Sequence, residues 1–282
     1  MVSNSGFNLQ AGTDNYCVMG NPIKHSKSPQ IHTMFARQCA QNLFYQAILI
    51  EPGCFGEALK QFHQLGGNGL NITVPFKGDA WASVDHRSRR AEKAGAVNTI
   101  WFDEYGESHG DTTDGTGLLN DLSEKGIQVS GKRVLVLGAG GAVRGVLSAL
   151  LEQGTKHIVL ANRTLTRAQE LVSIFENDGE LQALEYGALK SGSADIIING
   201  TSASLQGELP PLSPSLAQGA VCYDMVYADS DTAFVRWAKN NGAVEAMDGL
   251  GMLVEQAAES FYIWRGVRPD TKSVIGTLKN LS

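Results

Sequence analysis

Two serines near the start of the chain have the type and spacing to bind a small acid. Ser26 and Ser28 lie on one loop, after the apolar run 16–20 and just before Pro29. Proline suits the first turn of a helix, so both hydroxyls lie beside a predicted helix N-terminus. Hydroxyl donors at that position suit a carboxylate, because the helix dipole adds to their hydrogen bonds. Ser28 could instead cap the helix, a structural task that Ser26 does not share.

Further polar side chains follow or interrupt the next apolar runs. Asn71 and Thr73 alternate with apolar residues just before Lys77, which begins a predicted helix. A cation at a helix N-terminus interacts unfavourably with the helix dipole, so solvation alone does not explain a lysine at position 77. Asn98 lies between apolar residues, and its amide needs partners in the protein or in a ligand. Asp114 precedes another predicted helix and could be its cap.

The elements that carry these side chains bring them together. Apolar runs alternate with helical patterns over the first hundred residues, which predicts a parallel sheet with right-handed crossovers. The carboxyl ends of such strands share one edge, and open α/β sheets bind ligands at that edge. The polar side chains that the sequence places there are Ser26, Ser28, Asn71, Thr73 and Lys77.

A glycine turn in the middle of the chain predicts a dinucleotide site. The apolar run 133–137 passes directly into Gly138-Ala139-Gly140-Gly141-Ala142, and a helical pattern follows. Glycines let the chain turn sharply, so that the first amides of the helix can bind a pyrophosphate. Val143 occupies the third glycine position of the usual fingerprint, which should keep helix and strand further apart.

The residues after the next predicted strand, 157–161, indicate which of the two common dinucleotides, NAD or NADP, the chain binds. NAD-binding proteins commonly place an acidic residue there against the ribose hydroxyls. This chain has Asn162 instead, followed by Arg163 and Thr164. Arg163 and Arg167 offer guanidinium groups for a 2′-phosphate, which a carboxylate would repel, so we predict NADP(H). A capping box at residues 166–169 would explain the helix start but not the missing acid.

Later strands extend the same edge. The runs 195–199 and 220–227 each end in small or polar residues. Thr201, Met225 and Tyr227 therefore come to the strand ends beside the glycine turn, where the nicotinamide half of the cofactor should extend.

Composition limits the class of protein. The chain has 282 residues, enough for two domains, and its 43% hydrophobic and 18% charged residues are typical of a globular protein. No run approaches the ~20 apolar residues of a membrane span, and the polar start resembles no export signal, so we expect a cytoplasmic location. The net charge of −6 does not favour nucleic acid. The four cysteines lie in apolar segments without metal-site spacing, so we expect neither disulfides nor a metal.

Several motifs, in this order, closely resemble the shikimate dehydrogenase family over nearly the whole chain after residue 15. They are Gly20-Asn21-Pro22-Ile23 with Ser26-Lys27-Ser28-Pro29, Asn71-Ile72-Thr73-Val74-Pro75-Phe76-Lys77, Gly95-Ala96-Val97-Asn98-Thr99, Gly138-Ala139-Gly140-Gly141-Ala142, Asn162-Arg163-Thr164 and Asp248-Gly249-Leu250-Gly251-Met252. The resemblance implies NADPH-dependent, reversible reduction of 3-dehydroshikimate to shikimate, in the chorismate pathway to aromatic amino acids.

The resemblance also implies an architecture. We expect an α/β protein with a substrate-binding catalytic domain, 16–113 plus 249–282, whose sheet is open and mostly parallel. A Rossmann-type NADP-binding domain would span 114–248, and the C-terminal helices would return to the first domain. Gly249 would mark that crossing, and we add it to the cofactor-binding set. Residues 1–15 are expected to be a flexible extension.

The family's residue roles can be placed on this sequence. Ser26 and Ser28 would hold the substrate carboxylate, and Lys77 and Asp114 would form the catalytic pair. The residues that would contact the ring hydroxyls are Asn71, Thr73, Asn98, Asp114, Tyr227 and Gln256. Gln256 lies in a predicted helix, and its spacing does not decide whether it faces the site or solvent.

The chemistry fits the two catalytic side chains. Hydride delivery to a ketone creates an alkoxide, and an ammonium held by a carboxylate can protonate or neutralise it. The sequence does not decide which of these Lys77 does, with Asp114 orienting it. Two residues depart from the family pattern: Thr112 stands where asparagine is usual before Thr113, and Arg89 stands where an acidic residue is frequent.

Two other functions stay open. One is an NAD(P)-dependent quinate/shikimate dehydrogenase, against whose NAD form Arg163 and Arg167 argue. The other is a non-catalytic NADP(H)-sensing module, which the presence of Lys77 and Asp114 disfavours. In either case we expect a small-molecule ligand, no nucleic acid, no membrane, and a monomer or homodimer, since the family contains both.

Overall fold

The structure, a computed structural model, describes residues 6–280 apart from the side chain of Leu205. Helices and strands alternate along most of this length. The first of them are β1 (Asp14–Gly20), α1 (Ser28–Gln38), β2 (Leu43–Leu49), α2 (Phe55–Gln64), β3 (Gly67–Ile72), α3 (Lys77–Ser83), β4 (His86–Arg87), α4 (Arg89–Ala94), β5 (Thr99–Phe102), β6 (Ser108–Asp111) and α5 (Asp114–Glu124). The others are β7 (Arg133–Leu137), α6 (Gly141–Glu152), β8 (His157–Ala161), α7 (Leu165–Phe175), β9 (Leu181–Leu184), β10 (Ile196–Asn199), β11 (Val221–Asp224), α8 (Ala233–Asn240), β12 (Glu245–Met247), α9 (Leu250–Arg265) and α10 (Thr271–Asn280).

The chain folds as two compact units. Of the described residues, those up to Asp114 and those from 254 to 277 form unit 1, whereas 115–253 and 278–280 form unit 2. Most of α9 and α10 thus belongs to the unit that β1 begins, so the C-terminal helices return to the first unit as predicted.

Unit 1 contains, in its described part, a six-stranded sheet with the order β2-β1-β3-β5-β6-β4. Strand β1 runs parallel to β2 and β3, whereas β5 runs antiparallel to β3 and β6. The antiparallel pair is a hairpin, because a tight turn at Asp103, whose carbonyl accepts from the Gly106 amide, joins β5 to β6. The sheet packs on a core of aromatic side chains that includes Phe55, Phe62 and Phe76.

Unit 2 contains a six-stranded sheet with the order β12-β11-β10-β7-β8-β9 among its described residues, and the pairs along it are parallel. Successive strands run outward from β7 in one direction and then from β10 in the other. That reversal is the doubly wound order of a Rossmann fold, which confirms the predicted fold class. Its ligand-binding crevice is expected where the order reverses, at the carboxyl ends of β7 and β10.

The start of the chain differs from its prediction. The Phe7 ring lies 5.8 Å from the Phe62 ring, and Leu9 also packs against this core. Strand β1 begins at Asp14. Residues 7–15 are therefore not the flexible extension that the polar sequence suggested, because two apolar side chains anchor them. Residues 1–5 lie outside the described residues.

Two further findings concern membranes and thiols. Within residues 6–280, no helix is both long and apolar enough to cross a lipid bilayer. The thiols of Cys17, Cys39, Cys54 and Cys222 are free.

Candidate functional site

Lys77 and Asp114 form an ion pair in unit 1. Lys77 is the first residue of α3 and Asp114 is the first residue of α5. The Lys77 Nζ atom lies 2.5 Å from Oδ2 of Asp114, and the two side chains are only 16% and 7% exposed. Solvent ions screen a pair with so little exposure only weakly. The carboxylate therefore holds the ammonium group in one direction.

Local packing fixes the position of Lys77. The preceding residue, Phe76, is buried and stacks on Phe55. The backbone amide of Val97 donates to the carbonyl oxygen of Lys77 over 2.9 Å. These contacts keep a cation at a helix N-terminus, where the dipole opposes it, and Asp114 supplies the compensating charge.

Asn98 connects the ion pair to the rest of the polar cluster. Its Nδ2 atom lies 2.9 Å from Oδ1 of Asp114 and 3.2 Å from Oε1 of Gln256. Its Oδ1 atom accepts from the backbone amide of Thr113 over 2.9 Å. A backbone amide can only donate, so this bond fixes which end of the Asn98 amide faces Asp114. Gln256 thus faces the polar cluster, which settles what its helical spacing left open.

Three buried hydroxyls form the inner layer of this cluster, and the sequence analysis did not select them. Ser260 Oγ on α9 lies 2.7 Å from Thr99 Oγ1 and 3.3 Å from Thr113 Oγ1. It also donates to the carbonyl oxygen of Gln256 one helical turn earlier. Thr99, Thr113 and Ser260 are completely buried. The alternation of serine and threonine with apolar residues gives no sign that these three meet.

Asn71 reaches the same cluster from β3. Its Nδ2 atom donates to the carbonyl oxygen of Asn98 over 3.1 Å and to Ser260 Oγ over 3.0 Å. Its Oδ1 atom accepts from the Tyr45 hydroxyl over 2.8 Å. Both hydrogens of the Asn71 amide group thus have acceptors in the protein, so a ligand would meet Asn71 through its oxygen.

The predicted carboxylate loop lies between β1 and α1. Helix α1 begins at Ser28, and its N-cap is Lys27, with no side-chain cap. The alternative in which Ser28 caps the helix is therefore wrong. The Ser26 Oγ atom accepts from the Ser28 amide over 3.3 Å, which brings both serines to the helix N-terminus.

The loops after β1 and β3 are bound to each other. The Asn21 amide donates to the carbonyl oxygen of Val74 over 3.0 Å. A side chain on Gly20 would begin 2.3 Å from the Thr73 methyl group, so glycine is required for Thr73 to lie across the end of β1. The sheet edge that carries the loop with Ser26 and Ser28 is thus the edge that carries Thr73 and leads into Lys77.

In unit 2 the glycine turn has the predicted form. Gly138 has φ of 105°, a conformation that favours glycine, and its amide donates to the Ala161 carbonyl. Gly140 is the N-cap of α6, which begins with Gly141-Ala142 after Ala139 completes the turn. A Cβ atom added to Gly140 or Gly141 would have no described atom within 4 Å. Backbone amides beside open space at a helix N-terminus fit the pyrophosphate of a dinucleotide.

The valine at the third fingerprint position is accommodated by another glycine. Val143 is completely buried in α6. A Cβ atom on Gly200 would lie 2.5 Å from Cγ2 of Val143 and 3.2 Å from Sδ of Met225. The absence of a side chain at Gly200 therefore lets α6 pack closely on the end of β10, although the third glycine of the fingerprint is missing.

The loop after β10 meets the glycine turn, and the loop after β11 meets Gly249. A side chain on Gly138 would begin 3.3 Å from Cγ2 of Thr201. One on Gly249 would begin 2.3 Å from the carbonyl oxygen of Met225. The structure thus gathers Gly138, Thr201, Met225 and Gly249 at one end of the sheet, where the sequence predicts the nicotinamide half of the cofactor.

The residues predicted to select NADP follow β8. The side-chain amide of Asn162 donates to the backbone carbonyl oxygen of Thr164 over 2.8 Å. Arg163 and Arg167 are exposed. Helix α7 begins at Leu165 with Thr164 as N-cap, so the alternative of a capping box at residues 166–169 is wrong. Burial raises the pKa of the Tyr186 phenol, and the positive charge of Arg163 opposes that shift. Tyr186 is therefore a neighbour of Arg163 that sequence reasoning missed.

Tyr227 lies three residues past the end of β11 in unit 2 and is half-buried. Burial, followed by the charge of Asp229, raises the pKa of its phenol, so the group stays protonated at neutral pH and keeps its hydrogen as a donor. Within residues 6–280, no group of three or more His, Cys, Asp or Glu side chains is arranged to hold a metal ion.

Three stretches of the chain match described families. Residues 18–100 match the shikimate dehydrogenase substrate binding domain, and residues 121–206 match shikimate / quinate 5-dehydrogenase. Residues 249–279 match the shikimate 5′-dehydrogenase C-terminal domain.

Similar proteins cover almost the whole chain. The shikimate dehydrogenase (NADP(+)) of Alkalilimnicola ehrlichii is 57% identical over 269 residues, which are 95% of this chain and 99% of the relative. The enzyme of that name from Aeromonas salmonicida is 54% identical and covers 94% and 97% of the two chains. A crystal structure of shikimate 5-dehydrogenase from Thermus thermophilus, in complex with NADP(H) and shikimate, has a TM-score of 0.86 at 32% identity and covers 95% of this chain and 99% of that one.

Proposed function

This chain belongs to the shikimate dehydrogenase family, and we propose that its Lys77–Asp114 pair handles the proton of the family's reaction. It is an NADP-dependent oxidoreductase acting on a CH–OH group, which reduces 3-dehydroshikimate to shikimate in the shikimate pathway. The observation that carries the proposal is the 2.5 Å contact between an ammonium and a carboxylate that are both largely buried.

Lys77 and Asp114 act on the oxygen of the substrate ketone. NADPH, when bound, supplies the hydride that adds to the carbonyl carbon, and the oxygen then gains negative charge. The Lys77 ammonium donates a proton to that oxygen, so the products are the alcohol and a neutral lysine that regains its proton from solvent. Asp114 keeps Lys77 oriented before transfer. In the reverse direction the neutral lysine accepts the hydroxyl proton.

The other polar residues orient the substrate. Ser26 and Ser28 would bind its carboxylate, supported by their position at the N-terminus of α1. The residues proposed to contact its ring hydroxyls are Asn71, Thr73, Asn98, Asp114, Tyr227 and Gln256. The Asn71 and Gln256 contacts are supported by the hydrogen bonds that hold each side chain in the polar cluster of unit 1.

The cofactor site is proposed on the carboxyl ends of the strands of unit 2. The turn Gly138-Ala139-Gly140-Gly141-Ala142 would bind the pyrophosphate through backbone amides. Asn162, Arg163, Thr164 and Arg167 would surround the adenosine and its 2′-phosphate, where guanidinium groups suit a dianion. Thr201, Met225 and Gly249 would contact the nicotinamide half.

A rate assay tests the proposal directly. Shikimate and NADP are mixed with the enzyme, and the growth of the reduced-nicotinamide absorbance is followed. We expect turnover that Asp114→Asn reduces by ~10² or more, since the substitution removes the charge that orients Lys77. Turnover in Asp114→Asn close to that of the unmodified enzyme would contradict the assignment.

Quinate is a second candidate substrate, because residues 121–206 match a family described by both shikimate and quinate. The two substrates are compared by kcat/KM, each with NADP and with NAD. We expect shikimate with NADP to be preferred. A higher kcat/KM for quinate with NAD would replace this proposal by the quinate alternative.

We further propose a cytoplasmic enzyme that is a monomer or a homodimer. The composition, which is typical of a globular protein, supports the location. Sedimentation at several protein concentrations distinguishes one protomer from two.

A further inference from the structure

A buried carboxylate lies behind the two loops of the proposed nicotinamide site. Asp224 is the last residue of β11 and is completely buried. We propose that Asp224 is a positioning residue that fixes Thr201 and the Met225 turn for the nicotinamide half of NADP(H). This inference rests on the proposed cofactor contacts of Thr201 and Met225.

Four donors surround the Asp224 carboxylate. Its Oδ1 atom accepts from Asn199 Nδ2 over 3.0 Å and from the Val226 amide over 3.1 Å. Its Oδ2 atom accepts from Ser204 Oγ and from Thr232 Oγ1, each over 2.6 Å. Burial raises the pKa of Asp224, whereas these hydrogen bonds favour its charged form. A group that receives four donors is suited to be an ionised acceptor at neutral pH.

The first loop is fixed through Asn199. Because Asn199 Nδ2 donates to Asp224, the Oδ1 atom of Asn199 must point to the other side. There it accepts from the Thr201 hydroxyl over 2.7 Å and from the Thr201 amide over 3.2 Å. The carboxylate therefore determines the direction of the Asn199 amide, and that amide determines the orientation of Thr201.

The second loop is fixed by direct bonds to the same carboxylate. The Val226 amide donates to Oδ1, which closes the turn around Met225. Thr232 Oγ1 donates to Oδ2 and also accepts from the Val235 amide as the N-cap of α8. The segment between β11 and α8 is thus held at both ends by Asp224.

Asp121 offers a matched control in the same unit. It is buried to a similar degree, 2% exposed. Its partners are the Tyr223 hydroxyl, at 2.7 Å, and the Lys125 ammonium. Neither partner is a proposed cofactor contact, so neutralising Asp121 should lower stability without a selective effect on the nicotinamide half.

The test compares two ligands that differ by the nicotinamide half. The Kd values of NADPH and of adenosine 2′,5′-bisphosphate are measured by calorimetry for the unmodified enzyme, Asp224→Asn and Asp121→Asn. For Asp224→Asn we expect the NADPH Kd to rise by about tenfold or more, because an amide NH₂ would face donors, while the bisphosphate Kd changes by less than about twofold. Asp121→Asn should leave the ratio of the two Kd values unchanged. An unchanged ratio for Asp224→Asn would overturn the proposal.

A double-mutant cycle identifies the route. Thr201→Val should raise the NADPH Kd. The double variant with Asp224→Asn should raise it by less than the product of the two single fold-changes, because both substitutions act on one contact. If Thr201→Val has no effect, the proposed Thr201 contact fails, and the positioning of Thr201 by Asp224 fails with it. If Thr201→Val weakens binding but Asp224→Asn does not, only the positioning role fails.

Thr232 provides a milder change if Asp224→Asn does not fold. Thr232→Val removes one donor to Asp224, whereas Thr232→Ser keeps it. We expect the ratio of the NADPH Kd to the bisphosphate Kd to increase in Thr232→Val and to return to the unmodified value in Thr232→Ser. Equal ratios in the two variants would contradict the role of Asp224.

Discussion

The Nδ2 atom of Asn98 lies 2.9 Å from Oδ1 of Asp114, the carboxylate oxygen that does not hold Lys77. The two oxygens of one carboxylate are thus divided between a neutral donor and a charged donor. Asn98 is itself held by the Thr113 amide. The direction of the Lys77 ammonium therefore depends on an asparagine that acts through Asp114.

The first prediction concerns Asn98. Asn98→Ala leaves Asp114 Oδ1 and the Thr113 amide without this partner, so kcat/KM should fall by about 10- to 100-fold, the equivalent of one hydrogen bond to a charged group. Ser260→Ala removes one acceptor of the Asn71 amide group but no hydrogen bond to Asp114, so it should cost less than about fivefold. Steady-state kinetics with shikimate and NADP measures both. Equal losses in the two variants would contradict the special position of Asn98.

The second prediction concerns Gly249. A methyl group there would meet the Met225 carbonyl oxygen at 2.3 Å, and backbone cannot give way cheaply. Gly249→Ala should lower the free energy of unfolding by about 1–3 kcal/mol and raise the KM for NADPH. Gly276→Ala in α10 is the control, because its methyl group meets no described atom within 4 Å. That variant should gain about 0.5–1 kcal/mol in urea unfolding. A stable Gly249→Ala enzyme with normal KM would show that the close approach is not required.

The third prediction concerns the choice of cofactor. Arg163→Ala removes a guanidinium group proposed for the 2′-phosphate, so the KM for NADPH should rise by about tenfold or more. The KM for NADH, which lacks that phosphate, should change by less than about twofold. Asn162→Asp should also weaken the preference for NADPH over NADH, because the new carboxylate would repel the 2′-phosphate. Parallel increases for both cofactors in Arg163→Ala would place Arg163 outside the 2′-phosphate site.

The fourth prediction concerns pH and stability. Burial lowers the pKa of His32 to about 3, and the neighbouring Asn71 side chain only partly opposes that shift. Between that value and the ordinary pKa of ~6.5 the unfolded chain binds a proton that the folded chain does not, so stability falls as pH falls. The contribution of this group is about 1.4 kcal/mol for each pH unit in that interval.

The variant His32→Phe keeps a ring to stack on Tyr45, which lies 4.3 Å away, but cannot titrate. Its free energy of unfolding, measured by urea between pH 4 and 6, should therefore depend less steeply on pH. If the two proteins show the same slope, His32 is protonated in the folded state.

The sequence was sufficient to predict the elements with strong local signals. The glycine turn after β7 and the alternation of strand and helix gave the Rossmann unit and its strand-end edge. Strand β9 was missed, because Leu181–Leu184 is only four residues long, with three half-buried side chains and one exposed, and gives no clear periodicity. The start of the chain was missed because Phe7 and Leu9 are isolated apolar residues in a polar stretch, and only the folded core shows what they pack against.

The partners within the sites were beyond the reach of the sequence. Asn71 and Ser260 are 189 positions apart yet hydrogen-bonded. Asp224 resembles any polar residue at a strand end until Asn199, Ser204 and Thr232 are seen around it. The roles of the predicted site residues stay predictions, since each awaits its own measurement.

The most direct measurement is the turnover of Lys77→Ala. At saturating shikimate and NADP, kcat should fall by ~10² or more, while the Kd of NADPH changes little, because Lys77 acts on the proton and belongs to the unit that does not contain the glycine turn. Lys239→Ala, which removes a surface lysine paired with Asp231, serves as the control and should retain full activity. A Lys77→Ala enzyme with near-normal kcat would remove Lys77 from the mechanism.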